Sequence, residues 1–106
     1  MTYKLWLEDL ADTIKPAPDS TWMVARSSAE AIQILKEHGV PSFISFDFDL
    51  GLLASGEEDT AEVYYKYMAE NYYDSEVPDY EIHSENNQGW RLIQSYMESW
   101  RKSQEM

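Results

Sequence analysis

The sequence contains no cysteine, which excludes thiol catalysis, disulfide bonds and cysteine-ligated metal sites. It also lacks any apolar run approaching the roughly 20 residues that a membrane-spanning helix needs. Residues 1–10 include Glu8 and Asp9 and no long apolar stretch, so we expect no cleavable signal peptide. These absences predict a cytoplasmic protein with no membrane partner.

Basic residues are scarce. The chain has 8 lysines and arginines against 20 acidic residues, a net charge of −12. Such a surface repels the phosphates of DNA and RNA, so we expect no direct nucleic-acid partner. The partners that remain are metal cations, basic protein surfaces and a small ligand held at one site despite the overall negative charge. The charge also has a simpler explanation, because it keeps a protein soluble.

The pattern of short strands and helices predicts the fold class. The 106 residues suffice for a single domain, residues 1–106, and hydrophobic residues make up 43% of them. Apolar runs predict strands at residues 3–7, 22–25, 43–48 and 80–83, and helical spacing predicts helices at residues 27–38, 60–73 and 90–102. Residues 10–21 and 49–59 are predicted loops. This alternation is typical of an α/β fold with a small open parallel sheet of about four strands.

Polar residues follow three of these strands. They are Glu8 and Asp9, then Asp47 and Asp49, then the segment from His83 to Asn86. Ligands of open parallel sheets bind beyond the carboxyl ends of the strands, and neighbouring strands lie about 5 Å apart. If the first and third strands are adjacent, their four carboxylates can share one cation, and alternation puts Asp47 and Asp49 on one side. Mg²⁺ or Mn²⁺ is the expected cofactor. Alternatively, these acids are ordinary turn or capping residues.

The segment after the last strand offers groups for phosphate chemistry. His83 could act as a general acid or base, although a packed, hydrogen-bonded strand histidine is the alternative. Ser84 could hold a phosphate oxygen. Asn86 and Gly89 precede a helix, whose free amides at the amino terminus bind anions.

These segments together resemble the cyclic-phosphate processing receiver domain family, which is found in bacteria and phages. The resemblance is carried by Leu5-Trp6-Leu7-Glu8-Asp9, Lys15-Pro16-Ala17-Pro18, Glu30-Ala31-Ile32, Ile44-Ser45-Phe46-Asp47-Phe48-Asp49-Leu50-Gly51, and His83-Ser84-Glu85-Asn86 with Gly89. It implies a truncated receiver-like (flavodoxin-like) sheet with strand order 2-1-3-4, lacking the fifth strand and the phosphate-binding lysine of a receiver. It also implies action on a cyclic or other nucleotide phosphate, in phages during conflict with the host.

The resemblance also assigns roles to individual residues. It implies catalytic roles for His83, Ser84 and Asp47, and contacts to a nucleotide phosphate from Asn86, Gly89 and Lys15. The metal ligands would be Glu8, Asp9, Asp47 and Asp49.

The chain departs from the family pattern at several positions. Phe48 stands where the family has a histidine, Glu8 where it has an aspartate, and Asn87 where it has a proline. Lys15 substitutes for an arginine and cannot reproduce its bidentate phosphate contact. Phe48 could stack a base but cannot transfer a proton. These departures weaken the prediction of activity more than that of the fold.

Three functions therefore remain open. The first is a metal-dependent phosphoesterase acting on a nucleotide. The second is a non-catalytic module that binds a nucleotide or a basic host protein, as a monomer or a homodimer. The third is an acidic DNA mimic, because ten of the 20 acidic residues fall between Glu57 and Glu85.

Overall fold

The structure is a computed structural model that describes residues 2–105. Its strands are β1 (Lys4–Leu7), β2 (Trp22–Ala25), β3 (Phe43–Phe46), β4 (Asp49–Leu52), β5 (Glu58–Thr60) and β6 (Asp79–Ile82), and its helices are α1 (Ser28–His38), α2 (Ala61–Asn71) and α3 (Asn87–Ser103). Four strands form a parallel sheet in the order β2-β1-β3-β6. Because β6 is the fourth strand expected from the sequence, the predicted order 2-1-3-4 is confirmed.

Two predictions about the middle of the chain are wrong. The strand expected over residues 43–48 ends at Phe46, and the loop expected over residues 49–59 contains the antiparallel pair β4 and β5. The chain leaves the parallel sheet after Phe46 and turns back through Gly56, whose φ is 88°. The pattern missed β5 because its sequence, Glu-Asp-Thr, has no apolar residue.

Side chains cap the amino termini of α1 and α3, at Ser27 and Asn86, whereas Thr60 before α2 makes no such hydrogen bond. Ser27 Oγ accepts a hydrogen bond from the Glu30 amide at 3.1 Å, as expected of a capping residue. Val63 of α2 and Trp90 of α3 are exposed, at 52% and 39%. Within residues 2–105, no helix is both long and apolar enough to cross a membrane.

The hydrophobic core lies on one face of the parallel sheet. Leu5 and Leu7 of β1 and Ile44 and Phe46 of β3 are fully buried, and the buried hydrophobic side chains of all three helices join the same cluster. The opposite face carries Trp6, Ser45 and Glu81 at matching register positions. Over that face runs the connection from β1 to β2, where Trp6 Nε1 donates to the Lys15 carbonyl at 3.0 Å. The sheet therefore has a helical side and a loop side.

Candidate functional site

Three carboxylates meet at the carboxyl end of the sheet. Glu8 and Asp9 follow β1, Asp47 follows β3, and these strands are hydrogen-bonded neighbours. One carboxylate oxygen from each residue lies within 4.8 Å of the other two. Glu8 is 0% exposed and Asp47 is 7% exposed, so bulk water neutralises little of this charge. We call these three residues the acid cluster.

Burial and the neighbouring acids disfavour the ionised form of Glu8 in the acid cluster. The pKa of Glu8 is raised to about 7, chiefly by burial; the Leu10 amide acts to lower it, and the nearby Asp47 and Asp9 add to the rise. That amide donates to Glu8 Oε2 at 3.2 Å. Near neutral pH, Glu8 is therefore poised between holding a proton and giving its oxygen to a cation.

Asp49 lies outside the acid cluster, although the sequence predicted it as a fourth metal ligand. Its carboxylate is exposed, and Oδ2 accepts a hydrogen bond from Asn86 Nδ2 at 3.1 Å. Alternation would place Asp49 on the same side as Asp47 only in a strand that continued through residue 49. Since β3 ends at Phe46, Asp47 and Asp49 are not held on one side by a common pleat.

Both ring nitrogens of His83, the atoms that could transfer a proton, lie within hydrogen-bonding distance of other protein groups. Its Nδ1 lies 2.8 Å from Ser45 Oγ, and its Nε2 lies 3.1 Å from Glu8 Oε1. Its ring stacks on Trp6 with centroids 4.2 Å apart and planes 7° apart. Burial lowers the pKa of the His83 imidazole. The nearby Asp47 and Glu81 act to raise this pKa, and Lys15 acts to lower it. The imidazole is therefore mainly neutral near neutral pH.

The segment after β6 builds the amino terminus of α3. Ser84 Oγ accepts a hydrogen bond from the Asn86 amide at 3.1 Å, and Asn86 Oδ1 accepts one from the Gly89 amide at 3.0 Å. The Gly89 amide, expected to bind phosphate, is thus engaged in capping the helix. Ser84 is 8% exposed, yet it lines the cleft described next.

A cleft of about 360 Å³ opens beside the acid cluster. It is lined by Asp9, Leu10, Lys15, Asp47, Asp49, Gly51, Ser84, Glu85 and Asn86. The structure thus brings Lys15, from the long connection between β1 and β2, to the same place as Asp47 and Ser84. Glu8 and His83 are not among the lining residues, but Glu8 lies beside Asp9 and Asp47 in the acid cluster.

Phe48 does not line this cleft. Its side chain is only 8% exposed and packs against Gly89 as part of the hydrophobic core. The ring therefore has little face to offer a base, in contrast to the stacking role that its position suggested.

Three residues of the site were not predicted. A Cβ on Gly51 would lie 3.3 Å from Asp9 Oδ2, and its φ of 82° strains any other residue type. Trp6 comes two residues before Glu8, and Ser45 comes two residues before Asp47. Alternation along a strand therefore places Trp6 on the same side as Glu8, and Ser45 on the same side as Asp47. The available signal was Ser45 itself, a polar residue between aromatic and aliphatic ones in a buried strand.

The comparisons with known proteins agree with this architecture. The family model of the "Cyclic-phosphate processing Receiver domain" matches residues 3–99, a range that includes the acid cluster and every residue lining the cleft. No curated protein and no solved structure matches the chain.

Proposed function

Since this chain belongs to the cyclic-phosphate processing receiver domain family, we propose that its cleft binds a nucleotide phosphate together with a divalent cation and hydrolyses a phosphoester bond. One observation carries the proposal: two carboxylates of the acid cluster, Asp9 and Asp47, line a single cleft together with a lysine and a serine at the carboxyl end of a parallel sheet, and the third carboxylate, Glu8, lies beside them. Open α/β sheets bind ligands at this end.

The residues of the acid cluster fit a hard divalent cation. Three carboxylates from Glu8, Asp9 and Asp47 are an all-oxygen donor set, which Mg²⁺ and Mn²⁺ prefer. The raised pKa of Glu8 supports the fit, because a buried acid that takes up a proton near pH 7 lacks a counterion. When bound, such an ion polarises a phosphoryl oxygen and offsets its negative charge.

The other cleft residues supply contacts for the phosphate. The ammonium of Lys15 provides a positive charge where most of the surrounding groups are acidic, and Ser84 and Asn86 add a hydroxyl and an amide. Lysine acts as a point charge and does not form a bidentate contact. The volume of about 360 Å³ lies within the range of small-ligand sites.

For hydrolysis, we assign proton transfer to Asp47 and orientation of the phosphate to Ser84. Asp47 belongs to the acid cluster and also lines the cleft, so its carboxylate can accept a proton from an attacking water. Its Oδ1 accepts a hydrogen bond from the Phe48 amide at 2.8 Å, which fixes the side chain. His83 would act on a substrate directly only after giving up Ser45 or Glu8.

Calorimetric titration with Mn²⁺ tests the cation site. We expect Asp47→Asn to abolish binding, because it removes a charged ligand from the acid cluster. Asp49→Asn is the matched control and should retain binding, because Asp49 pairs with Asn86 outside the cluster. Turnover of a panel of cyclic and linear nucleotides with Mn²⁺ then tests the reaction. A wild-type protein that binds neither Mn²⁺ nor any nucleotide contradicts the proposal.

A second candidate is nucleotide binding without turnover. It is favoured by the two protein contacts of His83, which leave neither ring nitrogen free for a substrate, and by Phe48 in place of the family's histidine. The two candidates differ in one measurement. Nucleotide binding with no product at high enzyme concentration supports the second, and Mn²⁺-dependent product formation supports the first.

A further inference from the structure

We propose that His83 is a positioning residue: Ser45 and Trp6 fix its imidazole, and its Nε2 orients the Glu8 carboxylate toward the cation position of the acid cluster. This inference rests on the proposed cation site and refines it. In this inference His83 acts by orienting Glu8 and does not act on the substrate itself.

The imidazole of His83 has little freedom to move. The indole of Trp6 covers one face of the ring, with centroids 4.2 Å apart and nearly parallel planes. Ser45 Oγ holds the Nδ1 edge at 2.8 Å, and Ser45 is itself 0% exposed. Trp6 is 9% exposed and is tied to the Lys15 carbonyl through its Nε1. A face and an edge are therefore both anchored in rigid parts of the sheet.

The fixed ring in turn sets the direction of Glu8. His83 Nε2 lies 3.1 Å from Glu8 Oε1, and the Leu10 amide donates to Oε2 at 3.2 Å. Because each oxygen of Glu8 takes part in one hydrogen bond, the plane of its carboxylate is fixed. The remaining lone pairs are left for a cation at the acid cluster. Groups that hydrogen-bond to metal ligands commonly orient those ligands in this way.

Counting hydrogens then assigns the tautomer of His83 when the cation is bound. A Glu8 carboxylate that ligates a cation only accepts hydrogen bonds, so Nε2 must carry the hydrogen. Nδ1 is then an acceptor and takes the single hydroxyl hydrogen of Ser45. Glu81 Oε2 lies 3.2 Å from Ser45 Oγ. It then no longer accepts the hydrogen bond of the Ser45 hydroxyl and is hydrated by solvent instead.

Two substitutions separate orientation of Glu8 from simple filling of space. Glutamine places an amide nitrogen near the position of Nε2, and asparagine places one near Nδ1. In Mn²⁺ calorimetry we expect His83→Gln to bind within about threefold of wild type and His83→Asn to bind about tenfold or more weakly. Thermal unfolding of both variants is the control for stability. Equal losses of affinity in the two variants, following equal losses of stability, would mean a structural role only and overturn the proposal.

Nitrogen NMR of the imidazole gives a second readout that stability does not affect. In the Mg²⁺-saturated protein, we expect His83 to be a single Nε2–H tautomer, and Ser45→Ala to make the two tautomers exchange. A wild-type Nδ1–H tautomer with Mg²⁺ bound overturns the positioning role and leaves the cation site intact. If wild type binds no Mn²⁺ or Mg²⁺, the cation site fails and the inference falls with it.

Discussion

Gly89 lies so close to Phe48 that a Cβ added to Gly89 would stand 2.4 Å from Phe48 Cγ. We therefore expect Gly89→Ala to destabilise the protein by about 1–3 kcal/mol through overpacking, even though alanine favours helices over glycine. Urea unfolding measures this change. Gln88→Ala is the control, because Gln88 is the exposed neighbour in the same helix.

A double variant tests whether the Phe48 ring causes this effect. In a Phe48→Ala background, we expect Gly89→Ala to be neutral or stabilising, because the clashing atoms are absent. If Gly89→Ala costs the same in both backgrounds, the clash with Phe48 is not its cause.

The pKa of Glu8 predicts how the stability of the metal-free protein depends on pH. The folded pKa of about 7 is above the ordinary value of 4.5, so Glu8 stabilises the fold fully below 4.5 and loses this contribution as the pH rises through about 7. Glu8→Gln mimics the protonated acid and removes this dependence. In urea unfolding with a chelator, we expect wild type to lose stability relative to Glu8→Gln between about pH 5 and about pH 8.

His83 has the opposite dependence, which is why the comparison uses a difference between two proteins. Burial lowers its pKa, so the unfolded chain takes up a proton below 6.5 and stability falls as the pH falls through that value. Both proteins contain His83, so the comparison removes the part of its contribution that does not depend on its hydrogen bond with Glu8. A constant difference between wild type and Glu8→Gln over this range would show that Glu8 is ionised throughout.

Asp59 joins the β4–β5 hairpin to the amino terminus of α1. Its Oδ2 accepts a hydrogen bond from the Ser28 amide at 2.9 Å, its Oδ1 accepts one from Ser28 Oγ at 2.5 Å, and both residues are buried. Asp59→Ala leaves these donors without a partner, and we expect a loss of about 1–3 kcal/mol in urea unfolding. Glu58→Ala, at the exposed neighbouring position, should change stability by less than about 0.5 kcal/mol. Equal effects would contradict the role of Asp59.

Lys15 is predicted to bind phosphate and not the cation. Loss of one charged contact is worth about 1.5–3 kcal/mol, so Lys15→Gln should weaken nucleotide binding about tenfold or more. Mn²⁺ affinity should not fall, because Lys15 adds positive charge near the acid cluster. Lys102→Gln removes the same charge from an exposed position of α3 and serves as the control. A similar loss in both variants would indicate a general charge effect.

The sequence predicted the parallel sheet because β1, β2 and β3 are short, mainly apolar runs between polar turns, and β6 alternates polar and apolar residues. It predicted the acid cluster because Glu8, Asp9 and Asp47 follow strands that the fold makes neighbours. These inferences use only local pattern and the direction of parallel strands. The same pattern failed for β5, whose three polar residues are held by pairing with β4 and by the hydrogen bonds that Asp59 accepts from Ser28.

Side-chain partners could not be predicted in the same way. The contact of His83 with Glu8 joins residues 75 positions apart, and it crosses β3 to reach from one strand end to another. The hydrogen bond between Asn86 and Asp49 depends on where the chain leaves the sheet. The apolar pattern predicted a third strand that continued two residues beyond its observed end. The burial of Phe48 depends on Gly89, which comes 41 residues later.

The connection between β1 and β2 has a consequence for how this protein can change over evolution. Lys15 is the one cationic side chain among the described residues that line the cleft, and it belongs to this connection, whereas Asp47 follows a buried strand. Loops tolerate insertion and deletion, since the entropy of closing them changes slowly with length. Under the proposed function, mutations in this connection can therefore alter which anion the cleft prefers while leaving Asp47 in place. Descendants of one ancestral domain could acquire different ligands while keeping the same carboxylates.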